Sequence, residues 1–224
     1  METKRLIFDN EQEWLSARAG QFTSSEINRL MAEPTKKAKE AGQLLSDGAI
    51  TYVMEVISAE LAEPKQSFIN AEMQWGKDNE PSAALELCRL LNLDVNSDEV
   101  VYTSQGGIVF FTNGLSGGTP DLIFYGLKAI SEIKCPSSSN HLYYKNYVTA
   151  DNFQSELPKY YDQIQHNLYL TDMDKCFFFS YDPRFKVASN QSHLIEILRD
   201  EFRINQILEK INIANGFKSK LCQL

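Results

Sequence analysis

The chain has 224 residues and a formal net charge of −8, with 43% apolar and 23% charged residues. These shares are average for a globular protein and exclude a disordered or fibrous chain, and the length fits one domain or two small ones. No stretch approaches the roughly 20 apolar residues of a membrane span, and an acid follows too soon for a signal peptide, so we expect a soluble, intracellular protein.

Side chains that commonly hold transition metals are few and scattered. The four cysteines lie dozens of residues apart, and the three histidines form no H-x-H or H-E-x-x-H pattern. Zinc and iron–sulfur sites are therefore not expected. The acidic net charge argues against a partner made of phosphates, unless a few cations line one channel while the acids gather elsewhere.

The N-terminal third predicts helices. A short helix is expected over residues 11–18. The segment Thr23-Ser24-Ser25-Glu26 has the form of a capping box, which predicts a second helix through about Met31. Residues 34–39 predict a basic loop, because a proline opens the segment and three lysines follow.

Two longer helices are predicted next. Apolar residues recur at near-helical spacing over about 44–61, and another helical stretch covers about 69–93. This second stretch contains Pro81, which lacks the backbone N–H that a helix interior uses. We expect Pro81 to mark the first turn of a separate helix.

After Asp94 the pattern changes to short runs rich in β-branched and aromatic residues, which predict a meander of strands. These runs cover residues 100–102, 108–111, 122–125 and 129–134. A helix over about 157–170, strands at 176–181 and 193–198, and a helix through about Ile213 are predicted to follow.

This order of elements predicts an α/β (α+β) fold, with a central mixed sheet flanked by helices. We expect a single domain over residues 1–224. Its predicted parts are a helical region at 1–93, a sheet and helix at 94–198, and a C-terminal helix at 199–224.

The most informative stretch is Asp121, ten residues, then Glu132-Ile133-Lys134. Asp121 opens one predicted strand and Glu132 lies in the next, so a tight hairpin would place the two carboxylates side by side. Side chains alternate along a strand, so Glu132 and Lys134 share a face while Ile133 points away.

Paired carboxylates are hard oxygen ligands that suit Mg²⁺ or Mn²⁺, and the backbone carbonyl of Ile133 is a further candidate ligand. Lys134 would then orient or deprotonate water against a phosphodiester. The spacing alone is also compatible with a solvated strand edge and a simple Pro-Asp turn.

Two further polar residues accompany this stretch. Glu80 adds an acid on the helix before the sheet, and Gln163 lies on the helix that follows it. Gln163 flanks a predicted buried stripe, from which an amide would reach the end of a strand. The stripe consists of Leu157, Tyr161, Ile164 and Leu168.

Six motifs in order resemble the lambda-exonuclease, or YqaJ-like viral recombinase, family of the PD-(D/E)XK nuclease superfamily, which implies a restriction-endonuclease-like core. They are Trp14-Leu15-x-x-Arg18-x-Gly20-x-x-Thr23-x-Ser25-Glu26, Trp75-Gly76-Lys77-x-x-Glu80, Pro120-Asp121, Glu132-x-Lys134-Cys135-Pro136, Gln163-x-Gln165 and Tyr181-Asp182-Pro183-Arg184.

The resemblance implies a metal-dependent exonuclease that digests linear double-stranded DNA processively from 5′ to 3′. It implies two metal ions held by Asp121 and Glu132, with Glu80 as an outer or second-metal ligand, Lys134 as the residue that activates water, and Gln163 as support. It also implies a homotrimeric ring, a single-strand annealing protein as partner, and a phage-encoded enzyme in the cytoplasm of a bacterial host.

For the DNA end, the resemblance implies a 5′-phosphate pocket made of Arg18, Thr23 and Ser25, at a helix start whose free N–H groups favour an anion. The chain departs from the family pattern at two positions. Leu122 follows Asp121 where the family has glycine, and Thr35 occupies the place of a phosphate-binding arginine. Lys36 or Lys37 would have to substitute for that arginine.

Two other functions remain open from the sequence. One is a structure-specific or single-strand nuclease of the same superfamily, although the scattered cysteines do not match the iron–sulfur cluster of the Cas4-like group. The other is a noncatalytic DNA-binding module. Such a descendant would be expected to have lost Asp121, Glu132 or Lys134, and all three are present.

Overall fold

The structure is a computed structural model that describes residues 2–62, 70–105 and 107–222. Its strands are β1 Lys4–Phe8, β2 Phe22–Thr23, β3 Val100–Tyr102, β4 Ile108–Thr112, β5 Ser116–Gly118, β6 Leu122–Phe124, β7 Ala129–Lys134, β8 Lys175–Tyr181 and β9 Ser192–Leu198. They form two mixed sheets, with strand orders β1-β4-β5-β2 and β3-β6-β7-β8-β9.

The α-helices are α1 Glu11–Arg18, α2 Asn28–Met31, α3 Lys36–Glu40, α4 Asp47–Leu61, α5 Ala71–Leu90, α6 Ser138–Tyr147, α7 Phe153–Glu156, α8 Pro158–Thr171 and α9 Glu201–Leu221. Single 3-10 turns lie at Ser24–Glu26, Tyr125–Leu127 and Ala188–Asn190. Within the described ranges, no helix combines the length and the apolar character needed to cross a membrane.

The five-stranded sheet is covered by helices on both faces. On one face Ile130 and Phe178 pack with Ile164 of α8, and on the other Ile133 and Phe179 pack with helix α5. Strand β8 is therefore apolar on both faces, as expected for a strand beside a parallel neighbour in the middle of a sheet. Helices α4 and α9 form a further core with Phe22 and Leu30.

The predicted α/β class, with a central mixed sheet flanked by helices, is confirmed, but the predicted meander of strands was wrong, because its strands divide between two sheets. Strand β4 does not pair with β3 or β6. It pairs antiparallel with β1 and β5, while β3 pairs with β6 in the other sheet. Strands β1, β2 and β5 were not predicted. Two of them have only two or three residues, too few for an alternating pattern.

The predicted helices over residues 11–18, 44–61 and 157–170 are confirmed within a few residues. The separate helix at Pro81 was wrong. Helix α5 runs through Pro81 without a break, because tertiary packing of its second half overrides the missing hydrogen bond. The last helix extends to Leu221, eight residues beyond the predicted end at Ile213.

The capping box at Thr23 was also wrong. The Thr23 side chain makes no capping hydrogen bond, and a single 3-10 turn and the four-residue helix α2 replace the predicted helix. The Glu26 carboxylate pairs with Arg29 and Lys159 instead. The predicted basic loop at 34–39 largely forms helix α3, since Oγ1 of Thr35 accepts a hydrogen bond from the Ala38 N–H at its start.

Buried His166 joins helix α8 to the first sheet. Its Nδ1 lies 2.8 Å from Oγ of Ser24, and its Nε2 lies 2.9 Å from Oγ of Ser116. Loss of hydration lowers the pKa of His166 to about 3. Below pH 6.5 this histidine therefore binds a proton in the unfolded chain but not in the folded chain. The free energy of unfolding falls as the pH falls.

We expect His166 to lower the free energy of unfolding by roughly 2 kcal/mol when the pH drops from 7 to 5. Urea unfolding at both pH values, for the wild type and His166→Gln, measures this contribution. The variant should be less stable at pH 7 and lose less stability on acidification. Equal losses in the two proteins would mean that His166 has the same pKa in the folded chain as in the unfolded chain.

Candidate active site

The hairpin of β6 and β7 brings Asp121 beside the strand that carries Glu132, as predicted. Leu122 pairs with Ser131, and the Asp121 N–H donates to the carbonyl of Ser131 at 3.1 Å. The Asp121 carboxylate in turn accepts a hydrogen bond from the N–H of Ile133. Asp121 is therefore held against the backbone of the next strand, one residue from Glu132.

Glu132 and Lys134 share one face of β7, as the alternation of side chains predicts. The Lys134 Nζ donates to Oε1 of Glu132, and both side chains face helix α8. Ile133 points to the opposite face, where it packs in the core beside helix α5. Glu132 is only 2% exposed, so the alternative of a solvated strand edge does not apply to it.

Helix α8 supplies the predicted amide. Nε2 of Gln163 donates to Oε1 of Glu132 at 2.6 Å. The predicted apolar stripe of the helix is confirmed, since Ile164 and Leu168 are buried and Leu157 and Tyr161 pack against the same core. The stripe fixes the rotation of the helix about its axis, and this rotation aims Gln163 at the sheet.

Glu80 approaches the same region from helix α5. Its Oε1 accepts a hydrogen bond of 3.1 Å from the hydroxyl of Tyr102 on β3. Burial, together with the Glu80 carboxylate, raises the pKa of Tyr102 to about 12, so the phenol keeps the proton that it donates. Tyr102 was missed by sequence reasoning, because the pairing of β3 with β6 places it beside the site only in three dimensions.

The carboxylates repel one another. Loss of hydration and then the charge of Glu132 raise the pKa of Asp121 well above its usual value. Burial by itself would lower the pKa of Lys134, but the charges of Glu132 and Asp121 outweigh it and raise that pKa. Lys134 is thus a protonated donor in this arrangement, which favours orienting water over deprotonating it.

The residues at this hairpin fit a divalent cation by their chemistry. Asp121, Glu132 and Glu80 bring three carboxylates near one another, and the charges of Glu132 and Glu80 add to the loss of hydration that raises the pKa of Asp121. Each carboxylate is bonded to a protein donor. In the described part of the chain, no three acidic, histidine or cysteine side chains form a ready metal cluster. Carboxylate and carbonyl oxygens are the ligands that Mg²⁺ and Mn²⁺ prefer.

The predicted phosphate-binding residues Thr23 and Ser25 lie around Tyr52, a residue that sequence reasoning missed. The Tyr52 hydroxyl accepts from the N–H of Thr23 at 2.9 Å and lies 3.5 Å from its Oγ1, which is also 3.5 Å from Oγ of Ser25. Arg18 ends helix α1 with its guanidinium 4.3 Å above the Trp14 ring. Burial lowers the pKa of Arg18, and Tyr52 and Glu26 lie near enough to oppose that shift. These polar groups therefore lie in one region.

The remaining residues predicted for the DNA end do not join this group. Lys36 and Lys37 are exposed on helix α3, and the described residues include no hydrogen bond or ion pair between them and Arg18, Thr23 or Ser25. The expected helix start is a single 3-10 turn, so the aligned N–H groups of a long helix are not available there.

The family model of the YqaJ-like viral recombinase domain matches residues 13–174. No match was found among curated proteins. A structure of LHK-Exo in complex with dAMP is 24% identical with a TM-score of 0.70, and the match covers 95% of this chain and 94% of that chain.

A second structure, an alkaline exonuclease (LHK-Exo) from Laribacter hongkongensis, is 23% identical with a TM-score of 0.69 over the same shares of the two chains. A phage related exonuclease from Haemophilus somnus 129PT is 20% identical with a TM-score of 0.68, covering 91% of this chain and 95% of that chain. These structures share the fold of this protein. The family model spans most of its sequence, and the chain belongs to the family of YqaJ-like viral recombinase domains.

Proposed function

We propose that this protein is a magnesium-dependent exodeoxyribonuclease that digests linear double-stranded DNA from its 5′ ends during phage-type homologous recombination. The observation that carries the proposal is the hairpin of β6 and β7. It holds Asp121, Glu132 and Lys134 together, with Gln163 bonded to Glu132 from the facing helix. Membership of a recombinase family supports the same biological role.

Asp121, Glu132 and the Ile133 carbonyl would hold the metal ion, with Glu80 as an outer or second-metal ligand. Mg²⁺ bound there, or Mn²⁺ in its place, would neutralise charge on the phosphodiester and supply a nucleophilic water at neutral pH. Gln163 orients the Glu132 carboxylate by donating to Oε1, which leaves the second oxygen available as a ligand.

Lys134 orients the attacking water and stabilises the charge that develops on the phosphodiester. Its Nζ lies 5.2 Å from the centre of the Tyr160 ring, which limits the positions open to the ammonium group. A positively charged donor that is already held in place stabilises a transition state without reorganising during the reaction.

The group around Tyr52 would bind the terminal 5′-phosphate. Arg18 supplies charge, and the hydroxyls of Thr23 and Ser25 supply donors whose mutual contacts, at 3.5 Å, are long enough to yield to a phosphate oxygen. Following the family, we also propose processive digestion by a homotrimeric ring in the bacterial cytoplasm, with a single-strand annealing protein as partner. Because the total charge is acidic, the channel of the ring must be lined with basic residues. The binding of DNA should then weaken steeply as the salt concentration rises.

Direction is tested with a linear duplex that carries a label on one 5′ nucleotide in one preparation and on the 3′ nucleotide of the same strand in another. We expect the 5′ label to appear first, as a small product released with magnesium present. Early release of the 3′ label would contradict the proposed direction. Internal fragments appearing first would instead favour a structure-specific nuclease.

Arg18→Ala is expected to slow digestion of 5′-phosphorylated ends by roughly ten- to a hundredfold, because a charge-assisted hydrogen bond to phosphate is lost. Digestion of 5′-hydroxyl ends should change little. Initial rates on matched duplexes differing only in that phosphate measure the effect. Arg89→Ala is the control, since it removes an exposed arginine paired with Glu86.

The wild-type preference for phosphorylated ends should lie at the lower, roughly tenfold end of this range, because Thr35 stands where the family pattern has an arginine. If Arg18→Ala slows both kinds of end equally, the residue serves general DNA binding or folding, and its place in an end pocket is wrong.

A further inference from the structure

The proposed end pocket and the catalytic hairpin are joined by backbone pairing. Strand β2 runs parallel to β5, with Phe22 opposite Ser116 and Thr23 opposite Gly117. Thr23 belongs to the proposed pocket, and Asp121 follows Gly117 by four residues in the chain. Any change in how these two segments pack therefore alters the position of the pocket relative to the carboxylates.

A buried polar bridge, made of Ser24, His166 and Ser116, strengthens the contact between these two segments. Ser24 Oγ donates to the carbonyl of Gly117 at 3.3 Å and lies 2.8 Å from Nδ1 of His166, whose Nε2 lies 2.9 Å from Oγ of Ser116. All three bridge side chains are at most 3% exposed. A neutral imidazole donates from one nitrogen and accepts at the other, so one ring forms a hydrogen bond with Ser24 of the 3-10 turn and another with Ser116 of β5.

The segment that carries Ser24 is in close contact with β5 at Gly118. A Cβ atom added at Gly118 would lie 2.1 Å from Oγ of Ser24 and 2.1 Å from Oδ1 of Asn167. Two atoms cannot approach that closely, so glycine at this position lets the segment with Ser24 lie directly against the strand that leads to Asp121. The spacing between the pocket and the hairpin is thus set by a close-packed contact, which does not deform gradually.

We infer that the Ser24–His166–Ser116 bridge, packed against Gly118, determines the length of the product that the proposed exonuclease releases. The inference rests on the proposed function. The terminal phosphate and the first internal phosphodiester of a DNA strand are one nucleotide apart. If the pocket holds the terminal phosphate, the distance from the pocket to Asp121 and Glu132 decides which phosphodiester reaches the carboxylates.

Two substitutions that disturb the bridge in different ways, Ser24→Ala and Gly118→Ala, test this inference. The first removes the hydroxyl from the bridge, and the second forces the two segments apart. Neither alters the proposed phosphate donors or metal ligands. Ser180→Ala is matched to the first, because it breaks another buried serine–histidine contact, of 2.7 Å to His141. Gly216→Ala is matched to the second, because a Cβ there meets nothing within 4 Å.

Product length from a 5′-phosphorylated linear duplex is read on a sequencing gel, beside the rate ratio for phosphate and hydroxyl ends. We expect wild type and both controls to release mononucleotides. Both test variants should release dinucleotides as well as mononucleotides, because an end that is not held at the correct distance is free to slide by one nucleotide. Their phosphate preference should fall about tenfold, since a misplacement of about 1 Å costs up to a hundredfold in rate. A merely structural role would lower the amount of folded protein without changing product length.

Folded Ser24→Ala that releases only mononucleotides with wild-type preference would overturn the inference while leaving the proposed function intact. Should Gly118→Ala fail to fold, Ser24→Ala decides alone. Wild type that digests no duplex would overturn the proposed function, and the inference would fall with it.

Discussion

Asp121→Asn is expected to lower the rate of DNA cleavage by more than about a thousandfold, about 4 kcal/mol of activation free energy, because a neutral amide is a poor ligand for a divalent cation. The hairpin should survive, since the remaining oxygen of the asparagine still accepts from the N–H of Ile133. Glu132→Gln should have a comparable effect. Initial rates on a linear duplex, with circular dichroism to establish folding, measure both.

The same variant should be at least as stable as the wild type when divalent cations are absent. The pKa of Asp121 is raised in the folded state, so above its usual value of 3.8 the folded chain binds more protons than the unfolded chain. The free energy of unfolding therefore falls as the pH rises through that range, and Asp121→Asn should remove this fall. Stability at pH 8 with a chelator should be higher in the variant.

Glu196→Gln is the control for these carboxylate changes. Glu196 lies on β9, two strands away from β7, is exposed and pairs with Lys175. Its replacement should leave the cleavage rate unchanged. Near-normal cleavage by folded Asp121→Asn would show that this carboxylate is not a metal ligand.

Lys134→Gln is expected to lower turnover at least a hundredfold, the range typical for loss of a positioned group that acts on protons or developing charge. Glutamine keeps a donor for Glu132 but removes the ammonium charge. Binding of DNA, measured with Ca²⁺ in place of Mg²⁺, should change little. The two measurements together separate loss of turnover from loss of affinity.

Lys175→Gln provides a matched control for Lys134. Lys175 also pairs with a glutamate, Glu196, and its Nζ also lies 5.2 Å from an aromatic ring, that of Phe177. The two lysines are similarly exposed, at 28% and 26%. Because Lys175 is remote from Asp121 in the strand register, its loss should leave turnover unchanged. Equal turnover in the two variants would make Lys134 an ordinary surface lysine.

The hairpin of β6 and β7 was predictable because its geometry is local. Ten residues separate Asp121 from Glu132, which is short enough for a hairpin. Side chains alternate along a strand, so Lys134 lies on the same face as Glu132 independently of the rest of the fold. Gln163 was predictable for a similar reason, since the helical period of its apolar neighbours fixed its direction. The sequence did not indicate which strand Gln163 would reach, and the hydrogen bond to Glu132 places its amide against β7.

Contacts distant in sequence were not predictable. Tyr52 reaches Thr23 across 29 residues, and Ser24 reaches His166 across 142. No spacing rule links such positions, and pairing of the two-residue strand β2 with β5 brings the second pair together. The continuous helix through Pro81 was missed for another reason: packing by Ala84 and Leu87 outweighs a local preference that dominates in isolated sequence.

The most direct test of the central claim compares a linear duplex with a covalently closed circle of the same sequence, each with magnesium and with excess chelator. We predict complete digestion of the linear duplex with magnesium, none with chelator, and an intact circle in both. Folded Asp121→Asn should leave all four samples intact. Digestion of the linear duplex in chelator, or cutting of the circle by the wild type, would contradict a metal-dependent exonuclease.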